Sequence, residues 1–105
     1  MAQIPIKIRR IVDQYLAALE ANKIPIRQAI LFGSYTRGNY NKWSDIDIAL
    51  VSEAFEGNRI DDRGKIRKIT LSISSDIEVL PFNPRDFTTD DPFVREIVKT
   101  GIKIA

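Results

Sequence analysis

Residues 32–51 read FGSYTRGNYNKWSDIDIALV, and the fold turns on how they are understood. The apolar run that leads into them, RQAILFGS over residues 27–34, ends at Gly33 as a buried strand ends. Residues 35–42, YTRGNYNK, read as a loop or a short helical turn. SDIDIALVS over residues 44–52 is a second strand, with Asp45, Asp47 and Ala49 on one face and Ile46, Ile48 and Leu50 on the other. A strand that only packs does not place Asp at alternate positions. Asp has poor strand propensity, and like charges side by side on one face repel. Carboxylates two residues apart lie roughly 6.5 Å apart along a strand. At an effective dielectric near 20 they repel by about 2.5 kcal/mol. A cation held between them removes that penalty.

Working outward, Ile8, Ile11, Val12, Tyr15, Leu16 and Leu19 recur at helical spacing over residues 6–22, with Pro5 in the first turn and NKIP closing the helix. EAFEGN, residues 53–58, is a turn. Residues 59–75 carry two periods: Ile66, Ile69 and Ile73 fit a helix, whereas Ile69, Leu71 and Ile73 also alternate like a strand. The helix is favoured because it places Arg63, Lys65, Arg67 and Lys68 largely on a solvated face. DIEVLPF, residues 76–82, is a third strand with Asp76, Glu78 and Leu80 on one side. Asp90 or Asp91 followed by Pro92 starts a last helix, with Phe93, Val94, Ile97 and Val98 expected inside and Gly101 as its stop. IKIA can add a short edge strand. The expected order is α-β-β-α-β-α: an α+β (α/β-like) fold with a small mixed sheet flanked by helices, in one domain over residues 1–105.

Composition narrows the chemistry. The chain of 105 residues has no cysteine and no histidine, which removes disulfides, thiolate metal sites and imidazole bases. A metal must then be held by oxygen, which selects Mg²⁺, Mn²⁺ or Ca²⁺. A general base must be a carboxylate, a Lys or a Tyr. The net charge of +2 is too small for a dedicated nucleic-acid binder and suits a phosphate-bearing ligand or an acidic partner. MAQIPIKIRR lacks the apolar core of a signal peptide and no apolar run reaches membrane-spanning length, so a cytoplasmic protein with no membrane contact is expected.

Asp45 and Asp47 form the first candidate metal pair. Glu78 supplies a third carboxylate if its strand pairs beside theirs. Three such groups can hold two ions about 3.5–4 Å apart, the spacing used for phosphoryl or nucleotidyl transfer. Gly33 then has a purpose beyond the turn, because it lets backbone approach a phosphate. The Ser34 hydroxyl can add a hydrogen bond, and Arg37 is within reach of a phosphate oxygen. Each residue also has a plainer reading. Gly33-Ser34 alone is an ordinary strand end, Ser44 a turn residue, Asp45 a turn cap, Arg37 a solvated side chain, and Glu78 with Asp76 the wet face of an edge strand. The constellation weighs against five coincidences.

That constellation resembles the DNA polymerase beta-like nucleotidyltransferase superfamily, in particular its minimal nucleotidyltransferase (MNT) members. Their pattern is a Gly-Ser turn, a gap, Asp-x-Asp, and a further acid on a later strand. LFGSYTRGNYNKWSDIDIALV followed by IEVLPFNPRDF carries it here, and DDPFVREIVKTGIKIA is similar to the closing helix and strand of the family. The resemblance implies that Gly33 and Ser34 bind nucleotide phosphates; Arg37 and Ser44 are the further candidates for nucleotide binding. It implies that Asp45 and Asp47 bind metal, and that Glu78 takes the third acidic place, usually Asp. Catalysis by Asp45, Asp47 and Glu78 with Mg²⁺ (two ions) and ATP follows as an expectation. Members of this size are commonly paired with a HEPN-domain RNase toxin and transfer AMP to one of its tyrosines, acting as antitoxin. The chain has almost nothing beyond the catalytic core, so an acceptor is expected through a shared interface in a homo- or hetero-oligomer. Two alternatives remain open at this point: a non-catalytic antitoxin that neutralises a HEPN partner by binding, and nucleotidyl transfer to a small molecule. A nucleic-acid module ranks last, because no aromatic stacking stripe interrupts the dispersed basic residues.

Overall fold

Apolar residues spaced three and four apart give α1 (Ile6–Ala21) a buried face of Ile8, Val12, Tyr15 and Leu19. The helix ends where the Asn22 side-chain amide donates to the Ala18 carbonyl at 2.8 Å and Lys23 takes a left-handed φ of 65°. The computed structural model describes residues 4–38 and 44–105, with Arg37 described by its backbone alone. The loop expected over residues 39–42 lies outside the described residues.

The chain then forms β1 (Gln28–Phe32), a one-turn α2 (Ser34–Arg37), β2 (Ile46–Val51), α3 (Arg59–Ile73), β3 (Ile77–Phe82), α4 (Pro92–Thr100) and β4 (Ile102–Lys103). The expected order is present, with α2 and β4 as the two short elements that the sequence left open. The sheet runs β3-β2-β1-β4. β1 is antiparallel to β2 and β4, while β2 and β3 are parallel, with α3 as the crossover that a parallel pair requires.

Two apolar layers hold this together. On one face of the sheet, Ile46, Ile48, Leu50, Leu31 and Val79 pack against α1 and the fully buried Ile66 of α3. On the other, Ile30, Ala49, Val51 and Phe82 pack against Val94 and Ile97 of α4. The alternation expected for β2 is therefore real, except that both of its faces are covered beyond Asp47.

The ambiguity at residues 69–75 resolves as helix through Ile73. Thr70 and Ile66, four apart, are buried, while Leu71, which a strand would have turned inward with Ile69 and Ile73, is 55% exposed. Asn58 caps α3 by accepting from the backbone N–H groups of Ile60 and Asp61. The last helix starts as expected at Asp91, whose side chain accepts from the Phe93 N–H, with Pro92 in its first turn. Its inner face is narrower than expected. Phe93 and Val98 are 43% and 48% exposed, because α4 presents only one stripe, Val94 and Ile97, to the sheet. Gly101 stops the helix for a different reason than a left-handed turn. Its φ is −80°, and a Cβ there would run into the Ile30 side chain and the Ile97 carbonyl.

Candidate active site

Register brings the candidate residues together. Phe32, the last residue of β1, pairs with Asp47, and Asp47 pairs with Glu78 across the parallel ladder. The Gly33-Ser34 turn, Asp47 and Glu78 thus form a row across three adjacent strands. Gly33 is the hinge of that row. It has φ 81°, and the Asp47 carboxylate lies so close over its Cα that a Cβ would overlap it. The Gly33 carbonyl accepts from the Thr36 N–H at 3.1 Å and the Thr36 hydroxyl at 2.8 Å. Tyr35, buried in the α1 layer, anchors the turn from beneath, and Gly38 ends it at φ 78°.

Asp45 lies one residue before β2 and is exposed, and Ser44 beside it is half-buried. Asp76, equally, lies one residue before β3 and is exposed. Of the phosphate-side candidates, Gly33 and Ser34 sit in the row, whereas the Arg37 side chain lies outside the described residues.

A cleft of about 320 Å³ opens over this row. Its floor is Phe32, Gly33, Asp47, Glu78 and Leu80, and its far wall is α4, through Phe93, Glu96, Ile97 and Thr100. The cleft thus lies where α4 leaves the sheet uncovered. Glu78 does not turn fully into it. Its carboxylate is paired with the Arg63 guanidinium, which reaches round the β3 edge from α3. Consequently no three acidic side chains among the described residues converge closely enough to hold a metal ion. Asp47 on the floor of the cleft and Asp45, two residues before it, offer oxygen donors of the kind that would suit Mg²⁺ or Mn²⁺. Glu78 would join them only after leaving Arg63.

Residues 8–104 match the model of the nucleotidyltransferase domain family. The chain belongs to that family. A curated relative from Methanocaldococcus jannaschii, named "Putative protein adenylyltransferase MJ0141", is 31% identical over 84 residues, covering 78% of this chain and 82% of its own. A crystal structure described as a "putative nucleotidyltransferase" from Sulfolobus solfataricus superposes with a TM-score of 0.68 at 19% identity, over 93% of this chain and 79% of that one. A toxin-antitoxin crystal structure with AMP-PNP is similar at a TM-score of 0.63 and 25% identity, over 89% of this chain and 71% of that one.

Three features of this nucleotidyltransferase are missing from the sequence reading. Arg63 was placed among solvated cations, and nothing local marks it as the partner of Glu78, fifteen residues on. Glu96 and Phe93 face the cleft because α4 is laid across the sheet. Their only sequence signal is the three- and four-residue spacing of Phe93, Glu96, Ile97 and Thr100, which places them on one side of a helix. Arg59 is the third. Its guanidinium lies 5.4 Å from the Phe82 ring centre and 5.8 Å from that of Phe93, a stack that joins α3 to the cleft wall.

Proposed function

We propose that this nucleotidyltransferase transfers AMP from ATP to a hydroxyl of a protein acceptor, and that the acceptor is a HEPN-domain toxin for which it serves as antitoxin. The observation that carries the reading is the packing of the Asp47 carboxylate against Gly33, in register with Glu78, on the floor of an open cleft. It puts the bare backbone of the phosphate turn, an acid and a further acid in one row. The names of the M. jannaschii relative and of the toxin-antitoxin structure support the acceptor class and the antitoxin role.

The residues divide the work as follows. Gly33 lets the triphosphate approach the backbone without a side chain in the way, and the Ser34 hydroxyl donates to a phosphate oxygen. Asp45 and Asp47 would hold a divalent cation, which when bound offsets phosphate charge and favours the ionised acceptor hydroxyl. Glu78, released from Arg63, accepts the acceptor's proton. The acceptor oxygen then bonds to the α-phosphorus, the bond to the bridging oxygen breaks, and pyrophosphate leaves with that electron pair. The reaction takes place in the cytoplasm.

The Arg63–Glu78 pair favours a second reading, because a third acid held by a guanidinium is what a purely binding antitoxin tolerates and an enzyme must undo. Intact mass of a candidate HEPN-domain acceptor, after incubation with this chain, ATP and Mg²⁺, separates the two. Transfer predicts one added AMP, lost in Asp45→Asn. A neutralised toxin of unchanged mass would leave the binding antitoxin instead.

A further inference from the structure

The lining of the cleft over Gly33 and Asp47 is of two kinds. Gly33, Asp47 and Glu78 are polar or bare backbone, whereas Leu80 of β3 and Phe93 and Ile97 of α4 are apolar. At about 320 Å³ the cleft lies at the small end of the roughly 300–1,000 Å³ of small-molecule sites, so it suits part of a nucleotide better than a stretch of protein.

Phe93 is the aromatic side chain of the α4 wall. It forgoes burial that Val94 and Ile97 of the same helix obtain, and remains 43% exposed. The ring is held all the same. It meets Phe32 edge to face at 6.4 Å and 85°, and the Arg59 guanidinium lies over it, 5.8 Å from its centre. Arg59 does not line the cleft, so the cation backs the ring and leaves its cleft side open. An oriented aromatic ring with an open side is a stacking platform for a nucleotide base. Glu96, three residues on, lines the same wall, and among the described residues its carboxylate has no ion pair. A triphosphate is repelled by such a carboxylate, while the hydroxyl and amino groups of a nucleoside donate to it. The α4 wall therefore suits the nucleoside, and the bare backbone at Gly33 suits the phosphates.

We infer that the base of the bound nucleotide stacks on Phe93, within the apolar part of the cleft lining. The inference rests on the nucleotide-binding reading of this cleft given above and deepens it. Stacking tolerates every base and rewards the larger face of a purine. Phe93 thus sets the affinity for a nucleotide over bare polyphosphate, and ranks purines above pyrimidines.

The test measures, by calorimetry with Mg²⁺ present, the affinities of the parent, Phe93→Ala and Phe93→Trp for AMP-PNP, its uridine counterpart and inorganic tripolyphosphate. Alanine keeps the backbone N–H that the Asp91 side chain caps, so α4 retains its start. Tripolyphosphate reports whether the phosphate end is intact. Phe93→Ala is expected to weaken AMP-PNP binding roughly tenfold or more, with tripolyphosphate binding unchanged, and Phe93→Trp to bind AMP-PNP at least as tightly as the parent. The parent should prefer AMP-PNP to the uridine analogue, and Phe93→Ala should lose that preference. Unchanged AMP-PNP affinity in Phe93→Ala overturns the inference; a raised KM for the protein acceptor in its place assigns the ring to the acceptor. An equal fall for AMP-PNP and tripolyphosphate makes Phe93 a support of the cleft as a whole and overturns it too, as does a parent that binds neither. A parent that binds AMP-PNP through Phe93 but transfers no AMP upholds the stacking site and removes the transfer reading.

Discussion

Gly33 and Asp47 are the pair on which the proposed site depends. The left-handed φ of Gly33 and the carboxylate over its Cα mean that Gly33→Ala meets two penalties together. The backbone strain costs about 1–3 kcal/mol, and the added methyl pushes Asp47 out of the row. Urea unfolding should show the stability loss, and AMP transfer should fall by more than tenfold even in the folded fraction. Arg63→Met separates stability from chemistry in the opposite sense. The Arg63–Glu78 pair is about half exposed on both sides, so its loss should change stability by less than about 1 kcal/mol. With its competitor gone, Glu78 is available at once, and the Mg²⁺ concentration for half-maximal transfer should drop; an unchanged Mg²⁺ dependence would mean that Glu78 takes no part. Sequence reasoning singled out Gly33, Asp45 and Asp47 as candidates because their spacing is local and their chemistry is costly without a purpose. It placed Glu78 beside Asp47 only conditionally, since the ladder partner depends on the crossover. Arg63 was beyond its reach for the same reason.

The elements are tied by a few polar contacts set in apolar layers. The Tyr15 hydroxyl lies 2.7 Å from Thr70 Oγ1, joining α1 to α3 under the sheet. Thr70 also lies 3.0 Å from the Ile66 carbonyl, to which it donates, so Tyr15 is the donor of the inter-helix bond. Tyr15→Phe should cost about 1 kcal/mol in thermal or denaturant unfolding. Burial pushes the Tyr15 phenol above its ordinary pKa, partly countered by the Thr70 bond. Between those two values the folded chain keeps a proton that the unfolded chain has lost. Stability from this group is therefore whole below about pH 10 and drains away as pH rises through the folded pKa. Tyr15→Phe should flatten that alkaline slope. Gly101→Ala tests the seam between α4 and β1: the extra methyl overlaps Ile30 and the Ile97 carbonyl, and overpacking of this kind costs about 1–3 kcal/mol. The helices were legible at their apolar stripes and caps, as α1 and Asp91-Pro92 illustrate. The outward turn of Phe93 and Val98 was not, because the width of a buried stripe is fixed by how the helix crosses the sheet.

For the whole molecule, three strands in register and the helix α4 laid over them create a cleft across β1, β2 and β3, and α3 and β3 line a separate groove, with Glu78 on the border of both. Among the described residues no helix is long and apolar enough to cross a membrane. The mixed sheet and its flanking helices followed from the order of periods along the chain, and the family followed from Gly-Ser and Asp-x-Asp. What the order of periods does not contain is strand adjacency, and both the cleft and the groove are products of adjacency. Label transfer reads the proposed adenylyl transfer to a protein directly. The chain and a candidate HEPN-domain acceptor are incubated with Mg²⁺ and ATP labelled at either the α- or the γ-phosphorus, beside an Asp47→Asn control. Adenylyl transfer should leave α-label on the HEPN-domain protein, no γ-label, and neither label with Asp47→Asn. γ-label on the acceptor, α-label that survives Asp47→Asn, or no label with either nucleotide would contradict it.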